Sequence, residues 1–301
     1  MNKVAVPAVR SCNSAGIVHF SSASLAKIST VAIFLCAAVF AISSRAEDAL
    51  VQSPVNANEL AAEVVQNELK AQDEDRSLWR YTEFHQEDGK MQMFEVVQTE
   101  QGEVHRLLAV NGKRLAGDDR RREEQRLVKI LSDPEDFREK QKSRAHDAEQ
   151  SKKLMQLLPR AFVYEYSGVE DGFIKLRFTP NPAFHPSSHE SEVFHHMEGV
   201  MWVDRRQRRL AELDGKLVSP VKFWNGLLGH LDAGGTFCVK QRNVGGGHWE
   251  MTFLDVQMDG KALFFKTIAV RQKEIDSDFH PLPGGTTLKQ AAEILKIDTA
   301  S

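Results

Sequence analysis

The chain reads as an α+β fold built on a large antiparallel sheet, and three observations predict it. Across residues 193–274, short runs of Val, Ile, Phe, Trp, Thr and Met recur between turn signals at 204–207, 231–235, 243–247 and 258–261, as successive antiparallel strands do. A second set of strand-like runs spans 78–110, broken by Glu87-Asp88-Gly89-Lys90 and Glu100-Gln101-Gly102, both of hairpin length. Helical spacing is confined to three places: before those strands, between Gly117 and Leu158, and near the C-terminus. At 301 residues and 42% hydrophobic, the chain can bury a full core.

The first segment is set aside from the fold. Lys27 leads into the apolar run 28–42, and Ser44-Arg45-Ala46 places small residues where a signal peptidase reads. That run is shorter than the ~20 residues a spanning helix needs. Residues 1–46 are therefore expected to be a signal peptide, with a mature chain that begins at Glu47 and is periplasmic or secreted; the alternative is a segment retained as a single anchor. Cys12 and Cys36 fall inside this segment, which leaves Cys238 as a lone buried cysteine with no internal disulfide expected.

After a linker at 47–55, Leu60, Ala61, Val64, Val65 and Leu69 fall at helical spacing, predicting a first helix to about Gln72 with Asn58 near its cap. Strands follow at 78–85, 91–99 and 103–110, and Asn111-Gly112 suits a type I′ turn, whose central residues both need positive φ. Ser132-Asp133-Pro134-Glu135 reads as a helix start, so two helices meet there within the charged segment 117–158. Strands resume at 161–166 and 173–178. Pro180, Pro182 and Pro186 then make 179–190 a loop, because proline cannot donate to a ladder. At the end of the chain, Thr287 and Gln290 fit a capping box and Leu288, Ala291, Ala292 and Leu295 share a face. The expected organisation is a domain at 56–278, with 117–158 as a helical insertion, and a tail at 279–301 carrying a short helix.

The run Gly199-Val200-Met201-Trp202-Val203-Asp204, then Leu210, residues 223–228, Gly234-Gly235-Thr236-Phe237, Trp249 and residues 260–265, resembles a family of secreted, uncharacterised bacterial proteins. Their sheet is similar to that of the outer-membrane lipoprotein-sorting carriers. The resemblance implies a strongly curved antiparallel half-barrel with helices packed against one face, a fold that in several relatives holds acyl chains or lipidated peptides. It carries over no functional residue.

Composition narrows the function further. A net charge of -3 and a pI near 6.4 give no pull on nucleic acid, so no nucleic-acid partner is expected. His185, His189, His195 and His196 cluster in sequence, but His195 and His196 are adjacent in a predicted strand and would point to opposite sides. No metal and no cofactor are expected. The G-x-S-x-G and H-E-x-x-H signatures are missing, and the protein is read as not an enzyme.

The remaining signal is apolar. Trp249, Met251 and Phe253 alternate with Leu254, Val256 and Met258, so the sheet carries bulk on both faces and must be covered on both or hold something. The expected function is non-catalytic binding of a lipid, acyl chain or lipidated protein, with Trp202, Phe223, Phe253 and Phe265 as candidate wall residues. The alternative is a monomeric module that docks an envelope protein through its charged helices.

Overall fold

Strands from opposite ends of the chain meet inside the sheet. The computed structural model describes residues 56–188, 190–223, 229–262 and 266–297. In it β1 (Leu78–Glu87) pairs on one side with β2 (Lys90–Thr99) and on the other with β13 (Lys266–Leu282). From β2 the sheet runs outward through β3 (Gly102–Val110) to β4 (Lys113–Arg114). From β13 it runs through β12 (His248–Ala262), β11 (Thr236–Gly245), β8 (Leu210–Leu217), β7 (Met197–Asp204) and β6 (Phe173–Pro180) to β5 (Phe162–Glu170). Every pairing is antiparallel, and β9 (Val221–Phe223) and β10 (Gly229–Leu231) form a short flap beside β12.

Two helices carry the chain between the sheet's ends. α2 (Gly117–Ser132) follows β4, and α3 (Pro134–Ala161) delivers the chain to β5. They meet at Ser132-Asp133-Pro134-Glu135 as expected, where the Asp133 side chain accepts from the Asp136 N–H. α1 (Ala57–Glu74) precedes β1, and its C-terminal half is latched to turns of the sheet. Glu68 accepts from Arg209 at 2.7 and 3.0 Å and from the Leu210 N–H at 2.7 Å, while Asp75 meets His248 at 2.9 Å. Of the arginines at 205–209, Arg209 is thus a structural anchor.

The outer strands have backbone donors that a neighbouring chain could pair with. Helix side chains occupy one on each side: Glu123 of α2 accepts from the Leu107 N–H of β3 at 2.8 Å, and Asn58 of α1 from the Tyr164 N–H of β5 at 2.9 Å. At the tip of β3, Asn111 and Gly112 take φ of 48° and 73°, the pair of positive values expected there.

Cross-strand register sorts the side chains onto two faces, because directly opposed residues share a side. One ladder row reads Lys175, Trp202, Glu212, Lys240, Phe253, Ile275 and Phe84. The row of opposite parity reads Met201, Leu213, Val239, Leu254, Glu274 and His85. These are called the Trp202 face and the Leu213 face below.

Helices do not keep to one face. α4 (Leu288–Ile294) packs Ala291 and Leu295 with Val97, Val104, Leu127 and Phe137, and Val97 lies on the Trp202 face. Arg106 also hydrogen-bonds the Leu295 carbonyl, and Thr287 forms its capping box. On the Leu213 face, Trp79, Tyr81 and Val96 make a separate cluster with Phe94, Val244 and Phe279. The expected tail at 279–301 therefore contributes core: β13 runs on to Leu282, and Phe279 stacks on Tyr81 at 5.1 Å. A bulge at Asp278, φ 57°, lets the strand continue.

No helix among the described residues is long and apolar enough to cross a membrane. The expected signal peptide, its cleavage point and the linker lie outside the described residues. Cys238 is buried, and the cysteines that bear on the expectation for its pairing, Cys12 and Cys36, lie outside the described residues. His195 and His196 sit in a 3-10 helix (Glu190–His196) and not in a strand, so the alternation argument does not apply to them.

Candidate functional site

The Leu213 face has two chemically distinct parts. Over β5 to β11 it is apolar and holds a cavity of about 130 Å³. The sheet supplies Phe162, Tyr164, Phe178, Met197, Leu213 and Phe237, and the other walls come from Leu158 of α3 and Phe194 of the 3-10 helix. Phe162 meets Phe178 at 4.7 Å and Phe194 at 5.4 Å between ring centroids, edge-on. The one polar group in the lining is spoken for, since the Tyr164 hydroxyl donates to the Leu158 carbonyl at 3.1 Å.

Glycines seat two of these rings. Gly199 and Gly215 are cross-strand partners. A Cβ on Gly199 would lie 2.6 Å from Cζ of Phe178, and one on Gly215 would lie 2.5 Å from Cε1 of Phe237. Both rings lie where any other residue would place a side chain.

Of the four candidate wall residues, Trp202 and Phe253 do not line this cavity. Trp202 and Phe253 share a face, but it is the opposite one. Lys175 Nζ lies 4.2 Å from the Trp202 ring centroid. Phe253 is 1% exposed beneath Lys240 and Lys273, at 5.6 and 5.3 Å, and Lys240 pairs with Glu212 at 3.2 Å. Phe253 is thus a core residue under a charged layer. The backbone of Phe223 lies in β9, and Phe265 is outside the described residues.

Following the Leu213 face from Leu254 onto β13 and β1 turns it ionisable. Tyr81, Glu83 and His85 of β1, Glu103 and His105 of β3, and Glu274 and Asp276 of β13 gather there. His105 lies between two carboxylates, Nδ1 3.2 Å from Glu83 and Nε2 3.3 Å from Glu103. His85 Nδ1 lies 3.6 Å from Glu274 and 3.9 Å from Glu83. Arg144 of α3 approaches Glu103 at 3.7 Å.

Burial and like charge shift these groups strongly. Burial, then the carboxylates of Glu274, Glu83 and Glu103, pushes Asp276 up to about 9. Burial also raises Glu274, with Glu83 adding to it, and raises the Tyr81 phenol, with Glu103 next. For His105, burial works downward but the hydrogen bonds to Glu103 and Glu83 outweigh it, giving about 9. Glu103 is likewise lowered, because His105 and Gln98 overcome its burial. On β12, burial beside Asp75 and Glu103 lifts Glu250 to about 7. Perturbed groups gathered on one face mark a candidate functional site.

Among the described residues, Glu83, His85 and Glu274 are the group whose donor atoms converge closely enough to hold a metal ion. The cluster was missed because its members are scattered from 83 to 276. The available signal was alternation: Glu83 with His85, Glu103 with His105, and Glu274 with Asp276 are each two residues apart in a strand, so each pair shares a face.

A larger hollow, about 730 Å³, lies between α2, α3 and α4 beside Val128, Leu131, Leu288 and Ile297. It borders the last described residue and mixes Arg138, Lys289 and Glu293 into its walls. Comparison with protein-family models, with curated proteins and with solved structures finds no match to this chain.

Proposed function

We propose that this is an exported, non-catalytic envelope protein that binds the apolar part of a lipid, acyl chain or lipidated protein. It does so on the Leu213 face of a sheet curved into a half-barrel. The observation that carries the reading is the apolar cavity between that face, Leu158 and Phe194. Its volume of about 130 Å³ is near the ~150 Å³ of an engineered apolar cavity that takes up benzene. Whole-ligand pockets run from about 300 to 1,000 Å³. The cavity therefore suits the end of a chain a few carbons long, not an entire lipid.

The rival reading, docking of an envelope partner through residues 117–158, has less behind it. Exposed charges there are paired within their own helices: Arg120 with Glu124, Arg122 with Asp119, and Lys142 with Glu139. Locally paired charge is the pattern of a solvated helix surface.

The test is uptake of a fluorescent fatty-acyl probe by the purified chain and by Leu213→Trp, which fills the cavity. Wild type should bind the probe and Leu213→Trp should lose at least about tenfold in affinity, which is 1.4 kcal/mol. Phe253→Leu on the other face serves as the control and should keep binding. Absence of wild-type uptake, or equal uptake by the filled variant, overturns the reading.

A further inference from the structure

We infer that Glu83, His85, Glu274 and Asp276 form a site for one divalent transition-metal ion, with zinc the ion whose ligand preferences fit best. The inference goes beyond the apolar-ligand reading and does not rest on it. It also departs from the expectation of no metal, which had been weighed on the histidines at 185–196.

Geometry comes first. One donor atom each from Glu83, His85 and Glu274 lies within 4.8 Å of the others, and His85 Nδ1 is 3.6 Å from Glu274 Oε2 and 3.9 Å from Glu83 Oε1. Ligands at about 2.0–2.2 Å in a tetrahedron stand roughly 3.3–3.5 Å apart. The two imidazole–carboxylate distances need to close by a few tenths of an ångström, and the two carboxylates, within 4.8 Å of one another, by up to roughly 1 Å. All of its members lie on two adjacent strands of the sheet interior, where the backbone holds them in register.

An independent observation concerns Asp276. It is the direct cross-strand partner of Glu83 on the same face, it is 8% exposed, and its Oδ1 is buried with no hydrogen-bond partner. Buried acceptors in folded proteins almost always have a partner, and a missing ion is one standard reason for an exception. The orphaned oxygen belongs to the cross-strand neighbour of Glu83, outside the three converging donors themselves, and is the proposed fourth donor.

Charge balance and the surrounding groups agree. Four carboxylates, those of Glu83, Glu103, Glu274 and Asp276, face His85, His105 and Arg144. With all four carboxylates ionised, the cluster keeps one negative charge even when both imidazoles are protonated, a charge that a bound cation or a proton on Asp276 balances. Imidazole with carboxylates is a donor set that zinc accepts, whereas calcium and magnesium favour oxygen alone. The outer partners are also present: His105 Nδ1 is 3.2 Å from the second oxygen of Glu83, and His85 Nε2 is 3.6 Å from Glu87. Such groups orient metal ligands in known sites.

The purified chain, stripped with chelator, is titrated with zinc by calorimetry and with cobalt by visible absorption. One ion per chain is expected, with cobalt bands of low-coordinate intensity and a zinc-dependent rise in melting temperature. Loss of a group that merely orients a ligand costs about 10–100-fold in affinity, so Glu274→Gln and His85→Gln should each cost at least about 100-fold. His195→Gln, in the 3-10 helix, should bind as wild type does. Absence of wild-type binding overturns the site, as does affinity unchanged in Glu274→Gln. If His85→Gln fails to fold, Glu274→Gln and the wild-type cobalt spectrum still decide. A spectrum of octahedral cobalt in water, with no stabilisation by zinc, means that protons and not a metal balance the cluster.

Discussion

Glu83 and Asp276 face one another across the β1–β13 ladder, two buried carboxylates in direct cross-strand register. Like charges so placed destabilise a sheet, and removal from water adds to the cost. Burial first, and then the carboxylates of Glu274 and Glu83, hold Asp276 up to about 9, so a bound proton relieves the pair when no cation is present.

The first prediction follows directly. In metal-free protein, Asp276→Asn should raise stability at pH 7.5 by about 1–3 kcal/mol, the cost of a buried unsatisfied polar group, because the amide is uncharged and can donate toward Glu83. Urea denaturation measures this. A destabilised variant under chelator would show that Asp276 has a partner the structure does not give it.

Stability of the metal-free protein should fall as pH rises. Asp276 moves from 3.8 to about 9, Glu250 from 4.5 to about 7 and His105 from 6.5 to about 9 on folding. All three bind protons more tightly in the folded state, so near neutrality the native form holds more protons and loses stability with rising pH. The contribution of His105 is complete below 6.5 and gone above about 9. Glu103 and Asp75, both lowered, act oppositely and withdraw support in acid. Melting temperature should therefore peak at mildly acidic pH and decline toward pH 9. A rise across that interval would contradict the buried arrangement.

The C-terminal helix should behave as core. Leu295 is 0% exposed against Val97, Val104 and Leu127, and Leu295→Ala should cost about 2–5 kcal/mol. An unchanged urea midpoint would make the segment an appendage.

The α1 latch should matter comparably. Glu68 is buried and pairs with Arg209 while also accepting from the Leu210 N–H. Glu68→Ala strands a largely buried guanidinium, and breaking a buried pair costs about 3–5 kcal/mol. Circular dichroism melts of Glu68→Ala and of the double variant with Arg209→Met separate the pair from packing. The double variant should recover part of the loss.

Much of the fold was legible because local chemistry decided it. Gly89, Gly102 and Asn111-Gly112 mark the turns between β1 and β4, and Pro134 and Thr287 mark helix starts, each through constraints that need no tertiary information. The coarse class, a large antiparallel sheet with helices, followed from that. Side-chain facing did not. Trp202 and Phe253 share a face through Glu212 and Lys240, a relation set by register and invisible in strand periodicity alone. The choice of large aromatics as wall residues also missed Gly199 and Gly215, whose lack of side chains makes the room. The ionisable cluster escaped because β13 pairs with β1, and nothing local to either strand announces that pairing.

That pairing also sets an order of assembly. β1 begins at Leu78, and its partner β13 begins only at Lys266, so a chain synthesised from its N-terminus must leave one side of β1 bare until β13 has emerged. Pairings of such long sequence separation close slowly. The β1–β13 seam is accordingly a slow-closing pairing that holds the interior of the sheet together.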